Sequence, residues 1–239
     1  MRRVSAKALS LASLMVAGSA SFPATPTPAD GDSHAFTEDF LIEGCTFSSS
    51  GRNSYFVLEP GHQLILDGTE GKEEIRVVIT VLNDTEVISG VRTRVVEEYE
   101  TIDGALAEVS RNFFALCKET GNMFYFGEDV DIYENGEVVG HAGAWRAGTD
   151  GALPGVFVPG SPMLGARYFQ EVAPNVALDR AEVLRLDAVV DTPVAVFNRC
   201  LETEETTPLE PNARDTKIYA PGVGLIVDGS KILVGLTPR

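Results

Sequence analysis

NMFYFGEDVDIYENGEVVGHAGAWRAGTDGALPGVFVPG, residues 122–160, contains two runs of alternating apolar and polar residues that meet at Asn135-Gly136. Asn-Gly between two such runs is the strongest short-range signal of a β-hairpin, because a type I′ turn needs positive φ at both central residues. The sequence therefore predicts a hairpin here. A loop rich in glycine and proline follows it and contains Trp145, the only tryptophan of the chain.

Long alternating runs before this hairpin predict an all-β fold. They lie at 74–82, 87–99 and 105–116. Turn residues join the successive runs: Asn83-Asp84, Asp103-Gly104 and Gly121-Asn122. Strands joined in sequence by short turns form an antiparallel meander, and long strands twist. We expect a long-stranded antiparallel meander that forms a strongly curved sheet or half-open barrel, with at most a short helix.

The C-terminal third carries shorter strand signals. We expect strands at 166–172, 183–189, 194–205, 215–219, 224–228 and 231–236. Helical periodicity is poor throughout, and its best candidate is 175–186, where Asp179 is a possible helix cap. Residues 182–186 of that segment also alternate as a strand does, so both interpretations stay open.

The first residues of the chain predict secretion. Residues 1–20 combine a basic start, an apolar stretch and small residues at a cleavage position, as a signal peptide does. The apolar stretch is shorter than the roughly 20 residues that cross a bilayer, so we expect no stable membrane insertion after cleavage. Residues 21–35 predict a disordered N-terminus, and 36–239 a single β domain. The expected location is secreted or periplasmic.

The strongly acidic composition excludes one class of partner. Cleavage of the signal would remove Arg2, Arg3 and Lys7 and take the formal net charge from −16 to −19. Such a surface repels phosphate backbones, so we expect no nucleic-acid partner. Solubility is the simplest reason for the acidity. The sequence does not indicate an oligomeric state.

Three cysteines are an odd number in an oxidising compartment, so at most one internal disulfide forms. Cys117 stands in an apolar run and is expected to be a buried small hydrophobic residue. Cys45 and Cys200 lie toward the two ends of the mature chain. We predict that these two residues form the disulfide.

A motif in the last third resembles a known signature. Residues 191–197, DTPVAVF, are followed by a strand and then by 219–226, YAPGVGLI. This resembles the TPAGTF…YAPGVGLV signature of bacterial envelope proteins that are compared with the LolA/LppX lipoprotein-carrier fold, although Val194-Ala195-Val196 replaces Ala-Gly-Thr. The resemblance implies a half-open β-barrel whose concave face holds a hydrophobic ligand. It implies no catalytic residues.

Motifs for catalysis and for cofactors are weak. No Gly-x-Ser-x-Gly, His-Glu-x-x-His or Cys-x-x-Cys occurs, and we predict no catalytic residue, cofactor or firm metal site. Asp129 and Asp131 are weak candidates for a calcium ion, because alternate residues of a strand share one face. A solvated outer sheet face is the interpretation that we prefer for them.

The loop from Ala142 to Pro162 is the best candidate for ligand contact, since long loops on rigid sheets often bind ligands. An Ω-like loop that plugs the barrel with its own core is the competing interpretation. Arg92 and Arg94 are candidates to bind a ligand carboxylate, or to pair with acidic neighbours. The candidate ligand-binding residues are Trp145, Arg146, Asp150, Phe157, Met163, His141, Arg92 and Arg94.

Three functions follow as hypotheses. The first is a secreted or periplasmic non-enzymatic protein that binds a small apolar or amphipathic molecule in a curved β-sheet cavity. The second is a hydrolase or isomerase that uses acidic residues and His141 in the same cavity. The third is an acidic cell-surface protein that binds calcium.

Overall fold

The computed structural model describes residues 35–237. The predicted signal peptide at 1–20 and all but the last residue of the predicted disordered segment at 21–35 lie outside the described residues. Eighteen strands and one short 3₁₀-helix, Ile42–Gly44, make up the regular structure of the described part. The strands are β1 (Phe47–Ser48), β2 (Gly51–Arg52), β3 (Val57–Leu58), β4 (Gln63–Glu70), β5 (Glu73–Ile88), β6 (Val91–Ile102), β7 (Ala105–Cys117), β8 (Met123–Glu134), β9 (Glu137–Gly140), β10 (Trp145–Arg146), β11 (Leu153–Val158), β12 (Arg167–Phe169), β13 (Glu171–Val172), β14 (Arg180–Asp191), β15 (Val196–Thr207), β16 (Glu210–Ala220), β17 (Gly224–Asp228) and β18 (Lys231–Leu236).

One antiparallel sheet contains almost all of these strands and confirms the predicted all-β, strongly curved fold. Its order is β12-β14-β15-β16-β17-β18-β4-β5-β6-β7-β8-β11-β13, so the sheet curls into a nearly closed barrel with one seam. The two ends of this order, β12 and β13, are halves of the continuous segment 167–172. A single segment of chain therefore lies on both sides of the seam.

Gln170 lies between β12 and β13, and a glycine lets this seam segment approach the sheet closely. A Cβ on Gly155 would lie only 2.5 Å from the Gln170 carbonyl carbon. The buried Gln170 side chain donates to Glu205 Oε1 at 2.9 Å, which connects the seam to β15 across the interior. The sheet thus closes around polar groups as well as apolar ones.

The predicted hairpin is confirmed, and its turn has the expected backbone. Asn135 and Gly136 have φ of 52° and 83°, which is the positive pair that a type I′ turn requires. Asp103 and Gly104, with φ of 50° and 78°, form a second turn of the same kind. β8 pairs with β9 across the first turn, and β6 with β7 across the second.

The predicted turn at Asn83-Asp84 is wrong. β5 continues through these residues as a bulge, and the chain reverses instead at Ser89-Gly90, where φ is positive at both positions. The buried Arg94 guanidinium explains the bulge, because its Nη1 donates to the Asn83 carbonyl oxygen at 2.6 Å. That hydrogen bond satisfies a carbonyl group that the sheet leaves unpaired.

The helix that the periodicity of 175–186 suggested is absent. Val176 and Ala177 belong to a tight turn, and the rest of the segment enters strand β14, so the strand interpretation is the one confirmed. No α-helix occurs between residues 35 and 237. Within that range the chain has no helix of the length and apolarity needed to cross a membrane.

The inward-facing positions of the central strands change from apolar to charged along their length. On β6, buried Val96 is followed at alternate positions by buried Glu98 and Glu100. Their partners on β7 are polar throughout, with Asn112 opposite Val96, Ser110 opposite Glu98 and Glu108 opposite Glu100. We name the charged part of the interior the acidic compartment; its buried ionisable residues are Glu98, Glu100, Glu108, Glu128, Glu171, Glu205, Asp228, Lys217 and Lys231.

The predicted disulfide between Cys45 and Cys200 is wrong. Cys45 pairs with Cys117, and their Cα atoms lie 5.2 Å apart. Pairing of β1 with β7 aligns Phe47 with Cys117 and so brings Cys45 alongside. Cys200 is a free, buried thiol on β15, inside the apolar core. The prediction relied on the positions of Cys45 and Cys200 toward the two ends of the chain, and those positions do not indicate which strands are neighbours in the sheet.

Candidate ligand-binding site

A cleft of about 260 Å³ lies between the loop that carries β10 and the turn after β13. Its lining combines a tryptophan ring and small apolar side chains with three charged groups. The lining residues are Asp129, Ala144, Trp145, Arg146, Thr149, Asp150, Ala152, Ala173, Pro174 and Val176. A surface of this kind offers both an apolar wall and polar groups that orient a ligand.

Strand β10 positions the tryptophan of the cleft. Trp145 lies across from Glu128, and Arg146 across from Gly127, in the pairing of β10 with β8. This pairing needs a glycine, because a Cβ on residue 127 would lie 2.9 Å from the Arg146 Cα and nearer still to the Trp145 carbonyl oxygen. With a φ of 136°, Gly127 also has a backbone conformation that other residues rarely adopt.

Trp145 forms the inner wall of the cleft and retains an unused donor. Its ring packs edge-on against Tyr125, with the ring centroids 5.3 Å apart. The side chain is buried, and its indole Nε1–H has no hydrogen-bond partner. Buried indole groups usually have a partner, so this unpaired N–H is an exception.

Arg146 is fixed at the mouth of the cleft by its contacts. Its Nη2 donates to Asp129 Oδ2 at 2.6 Å, and its Nη1 lies 3.7 Å from Glu86 Oε1. The guanidinium also covers the Phe113 ring at 4.7 Å. Exposed Asp150 lies at the same rim, so the acidic groups outnumber the single arginine around the opening.

Glu171 is near the cleft in the chain but is not part of the cleft lining. It is fully buried, and it is two positions from Ala173 on an extended segment, so the two side chains share a face. Its Oε1 accepts the Asp179 backbone N–H at 2.8 Å, whereas its Oε2 has no partner. Burial, together with the nearby Asp179 and Glu128 carboxyl groups, raises the pKa of Glu171 well above its ordinary value.

Tyr125 connects the tryptophan wall to these acidic groups. Burial raises the pKa of its phenol well above the usual value, and the charges of Glu128 and Glu171 raise it further. The Tyr125 hydroxyl donates to Asn112 Oδ1 at 2.6 Å. The cleft wall and the acidic compartment are therefore adjoining parts of one structure.

Two lysines neutralise only part of the acidic compartment. Lys217 forms an ion pair with Asp228, and Lys231 Nζ lies 3.0 Å from Asp228 Oδ2. Burial acts to lower the pKa of Lys217, but Asp228 and Glu205 outweigh it, so the lysine stays charged. Burial also acts to raise the pKa of Asp228, and both lysines outweigh it, so this carboxylate stays ionised.

Glu205 is close to several of these groups. Its Oε2 lies 3.9 Å from Lys217 Nζ, and its Oε1 accepts from Gln170. Burial raises the pKa of Glu205 to about 7 even though Lys217 opposes the shift. The Tyr219 hydroxyl and Gln170 Oε1 are buried without partners in this region. Buried polar atoms normally have a hydrogen-bond partner, so these two oxygens are exceptions.

The structure brings three of the predicted ligand-binding residues together and separates the others. Trp145, Arg146 and Asp150 line the cleft. Phe157 lies instead in the apolar core, where its ring centroid is 4.9 Å from that of Phe114, beside a separate cavity of only about 30 Å³. Met163 is 69% exposed and does not line the cleft.

The predicted roles of His141, Arg92 and Arg94 find no support in their positions. The His141 side chain is 66% exposed beside Asp131, and its Nδ1 lies 2.7 Å from the Val130 carbonyl oxygen. Arg94 is buried and donates to carbonyl groups of its own sheet and of Ser49, so it is committed to structure. Arg92 is exposed on β6, opposite Val87.

Asp129 and Asp131 share one strand face as predicted, but each already has a cationic partner. Asp129 binds Arg146, and Asp131 lies 3.1 Å from Arg111 Nη1. Among residues 35–237, one set of three metal-type ligand atoms lies close enough to hold an ion: Cys45, Cys117 and Glu119. Two of these residues form the disulfide, so this set is not a metal centre.

Sequence reasoning missed the acidic compartment, although β15 carried a signal for it. Leu201, Thr203, Glu205 and Thr207 alternate with more exposed residues, so the glutamate shares its face with a leucine. Acidic residues on strands normally indicate a solvated face, so this rule led the sequence analysis to overlook the buried cluster.

A comparison with known protein families, curated proteins and solved structures found no match for this chain.

Proposed function

We propose that this protein is a secreted or periplasmic, non-enzymatic protein that binds a small amphipathic molecule, with the cleft beside Trp145 as its binding site. The observation that carries the proposal is the cleft lining itself. An indole ring and small apolar side chains lie next to Asp129, Arg146 and Asp150, in a space of about 260 Å³.

The apolar cavity inside the barrel supports this placement of the site. It measures only about 30 Å³ and is surrounded by large side chains such as Phe56, Phe157 and Tyr219. A space of that size accepts a water molecule but no larger ligand. The open cleft has more room than this cavity, and its mixed lining favours an amphipathic molecule over a purely apolar one.

The Cys45–Cys117 disulfide supports the proposed location. Disulfides persist in oxidising compartments such as the periplasm and the extracellular space, and they are rare in the cytosol. The signal-like residues at 1–20 point to the same compartment.

Fluorescence of the single tryptophan tests the proposal, because Trp145 is part of the cleft wall. Purified protein is titrated with 1-octanol, octanoate and octylamine, which share a chain and differ in charge. Saturable change of Trp145 emission with at least one compound is expected.

Two matched variants locate the binding. Ala144→Leu fills part of the cleft, whereas Ala142→Leu adds the same bulk at an exposed position outside the lining. The first variant should weaken binding at least tenfold, and the second should bind as the parent protein does. Absence of saturable binding by all three compounds, or equal binding by both variants, would refute the proposal.

An enzymatic function is the second candidate, and one observation favours it. Burial raises the pKa values of Glu205 and Asp179 to about 7, which suits proton transfer near neutral pH. His141 takes no part in this version, because it lies on the outer face away from these carboxyl groups. Turnover of an ester or an isomerisable substrate that is lost in Glu205→Gln would establish it.

A further inference from the structure

We propose that the seam of the barrel responds to pH: the seam segment at 167–172 stays on the sheet in mild acid and detaches from it locally as the pH rises through neutrality. This opening does not depend on a ligand in the cleft. It follows from the short strand pairing of the segment and from the buried carboxyl groups that hold it in place.

The seam segment is held to the sheet by short runs of strand pairing. β12 pairs with β14 over three residues, and β13 pairs with β11 over two. In contrast, β5 pairs with β6 along most of its 16 residues. On its other edge β12 exchanges two backbone hydrogen bonds with Thr37, of 2.8 and 3.0 Å. Elements with so few backbone hydrogen bonds open at lower free energy than the central strands of a sheet.

Carboxyl groups take part in the contacts that close the seam from inside. Gln170 Nε2 donates to Glu205 Oε1 at 2.9 Å, and Glu171 Oε1 accepts the Asp179 backbone N–H at 2.8 Å. The Gln170 backbone N–H donates in turn to the Asp179 carbonyl oxygen at 2.8 Å. The protonation states of Glu171 and Glu205 therefore bear directly on whether the segment stays in place.

Two consecutive residues of the seam segment also carry unpaired polar atoms. Gln170 and Glu171 are buried, and neither Gln170 Oε1 nor Glu171 Oε2 has a hydrogen-bond partner. An unpaired buried polar atom costs free energy, and contact with water recovers that free energy when the segment opens. The closed seam is thus less stable than a seam with complete hydrogen bonding.

Ionisation inside the closed seam would place negative charge among other acidic groups. The titratable groups that face Glu171 and Glu205 are Tyr125 and Glu128 on β8, Tyr168 on β12, Asp179 before β14, Asp215, Lys217 and Tyr219 on β16, and Asp228 on β17. Lys217 is the cation of this set, and it pairs with Asp228 as well as lying 3.9 Å from Glu205. Burial and like charges both favour the protonated form of a carboxyl group.

The direction of the pH effect follows from this environment. Burial raises the pKa of Glu205 to about 7 and that of Glu171 well above its ordinary value of 4.5. In the open seam, water returns each pKa toward the ordinary value, so the closed seam holds protons that the open seam releases. The stability of the closed seam relative to the open one is therefore complete below pH 4.5 and falls as the pH rises through 7.

Opening of the seam also reaches the cleft beside Trp145. Ala173 and Pro174 follow β13 directly in the chain, and both line the cleft. Detachment of the seam segment moves this wall, so the shape of the cleft depends on pH as well.

Hydrogen exchange of the full-length protein at pH 5.0 and pH 7.5, followed by mass spectrometry, measures the opening. Rates are corrected for the intrinsic pH dependence of amide exchange. Each carboxyl proton shifts the equilibrium up to about tenfold per pH unit, so the protection of amides at 167–180 should fall at least tenfold between these pH values. Low concentrations of urea should hardly change their exchange, because a local opening exposes little surface.

The double variant Glu171→Gln/Glu205→Gln should lose most of this pH effect, while Asp187→Asn, at an exposed residue of β14, should keep it. Circular dichroism verifies that each variant is folded, and the measurement on the parent protein needs no variant. Equal protection of 167–180 at the two pH values would overturn the proposal. Exchange at 167–180 with the same urea dependence as in β5 and β6 would overturn it too, because the amides would then exchange by global unfolding.

Discussion

Lys217 and Asp228 form an ion pair inside the barrel, and both side chains are almost completely buried. Lys217→Met keeps much of the side-chain length but leaves Asp228 and Glu205 without this positive partner. Removing one member of a buried ion pair costs about 3–5 kcal/mol, so we expect a loss of that order in the free energy of unfolding. Urea unfolding followed by circular dichroism measures it.

Lys118→Met is the matched control, because Lys118 is exposed at the end of β7. Its free energy of unfolding should stay within about 0.5 kcal/mol of the parent value. Equal stability of the two variants would show that Lys217 does not hold the acidic compartment together.

Stability should fall as the pH rises from about 5 to 8. Burial and the neighbouring Glu108 raise the pKa of Glu100 from 4.5 to about 8, and burial raises that of Glu205 from 4.5 to about 7. A raised carboxyl pKa means that the folded state holds protons that the unfolded state has released. The protonated Glu100 and Glu205 contribute fully to the free energy of unfolding below pH 4.5. This contribution is lost as the pH rises through their folded-state pKa values.

Urea unfolding at unit steps from pH 5 to pH 9 checks this dependence. Each such proton contributes a slope of about 1.4 kcal/mol per pH unit between its two pKa values. Glu100→Gln should flatten the curve between pH 5 and 8, while Glu73→Gln, at an exposed residue, should not. A stability that is constant or rises over this range would contradict the assigned protonation.

Arg94 should contribute far more to stability than its neighbour Arg92. The Arg94 guanidinium donates to the carbonyl oxygens of Ser49 and Asn83 at 2.8 and 2.6 Å, and it is buried. Arg94→Met removes these charge-assisted hydrogen bonds, and we expect a loss on the order of 1–3 kcal/mol in the free energy of unfolding. Arg92→Met changes an exposed residue and should shift the urea midpoint little; a larger effect from Arg92→Met would contradict this difference.

Reduction should destabilise the protein through the Cys45–Cys117 bond. The bridge spans 72 residues, and a loop of that length corresponds to roughly 4 kcal/mol of chain entropy. The double variant Cys45→Ser/Cys117→Ser should lose stability of that order, and a reducing agent should not lower it further. Non-reducing peptide mapping should join the peptides of Cys45 and Cys117; a bond to Cys200 would contradict the structure.

Local rules predicted much of the fold because alternation and turn residues act over short distances. Asn135-Gly136 determined a hairpin through its own backbone preferences. The rule failed at Asn83-Asp84, since the distant Arg94 stabilises a bulge there. Similarly, no local signal indicated that pairing of Phe47 with Cys117 would determine the disulfide.

The candidate site was predictable only where it belongs to one continuous loop. Trp145, Arg146 and Asp150 lie close in sequence and also in space. The acidic compartment is assembled from strands far apart in the chain, as Glu205 and Glu98 illustrate. The sequence pattern of its members is that of a solvated sheet face. The curvature of the sheet nevertheless places their side chains in the interior.

Native mass spectrometry of the mature protein from its own host, followed by denaturing extraction, tests the proposed binding function most directly. We predict an added mass of a small amphipathic molecule that is released on unfolding, is lost in Ala144→Leu and is retained in Ala142→Leu. A bare protein mass for the parent chain, or an adduct that is equal in both variants, would contradict ligand binding in the cleft beside Trp145.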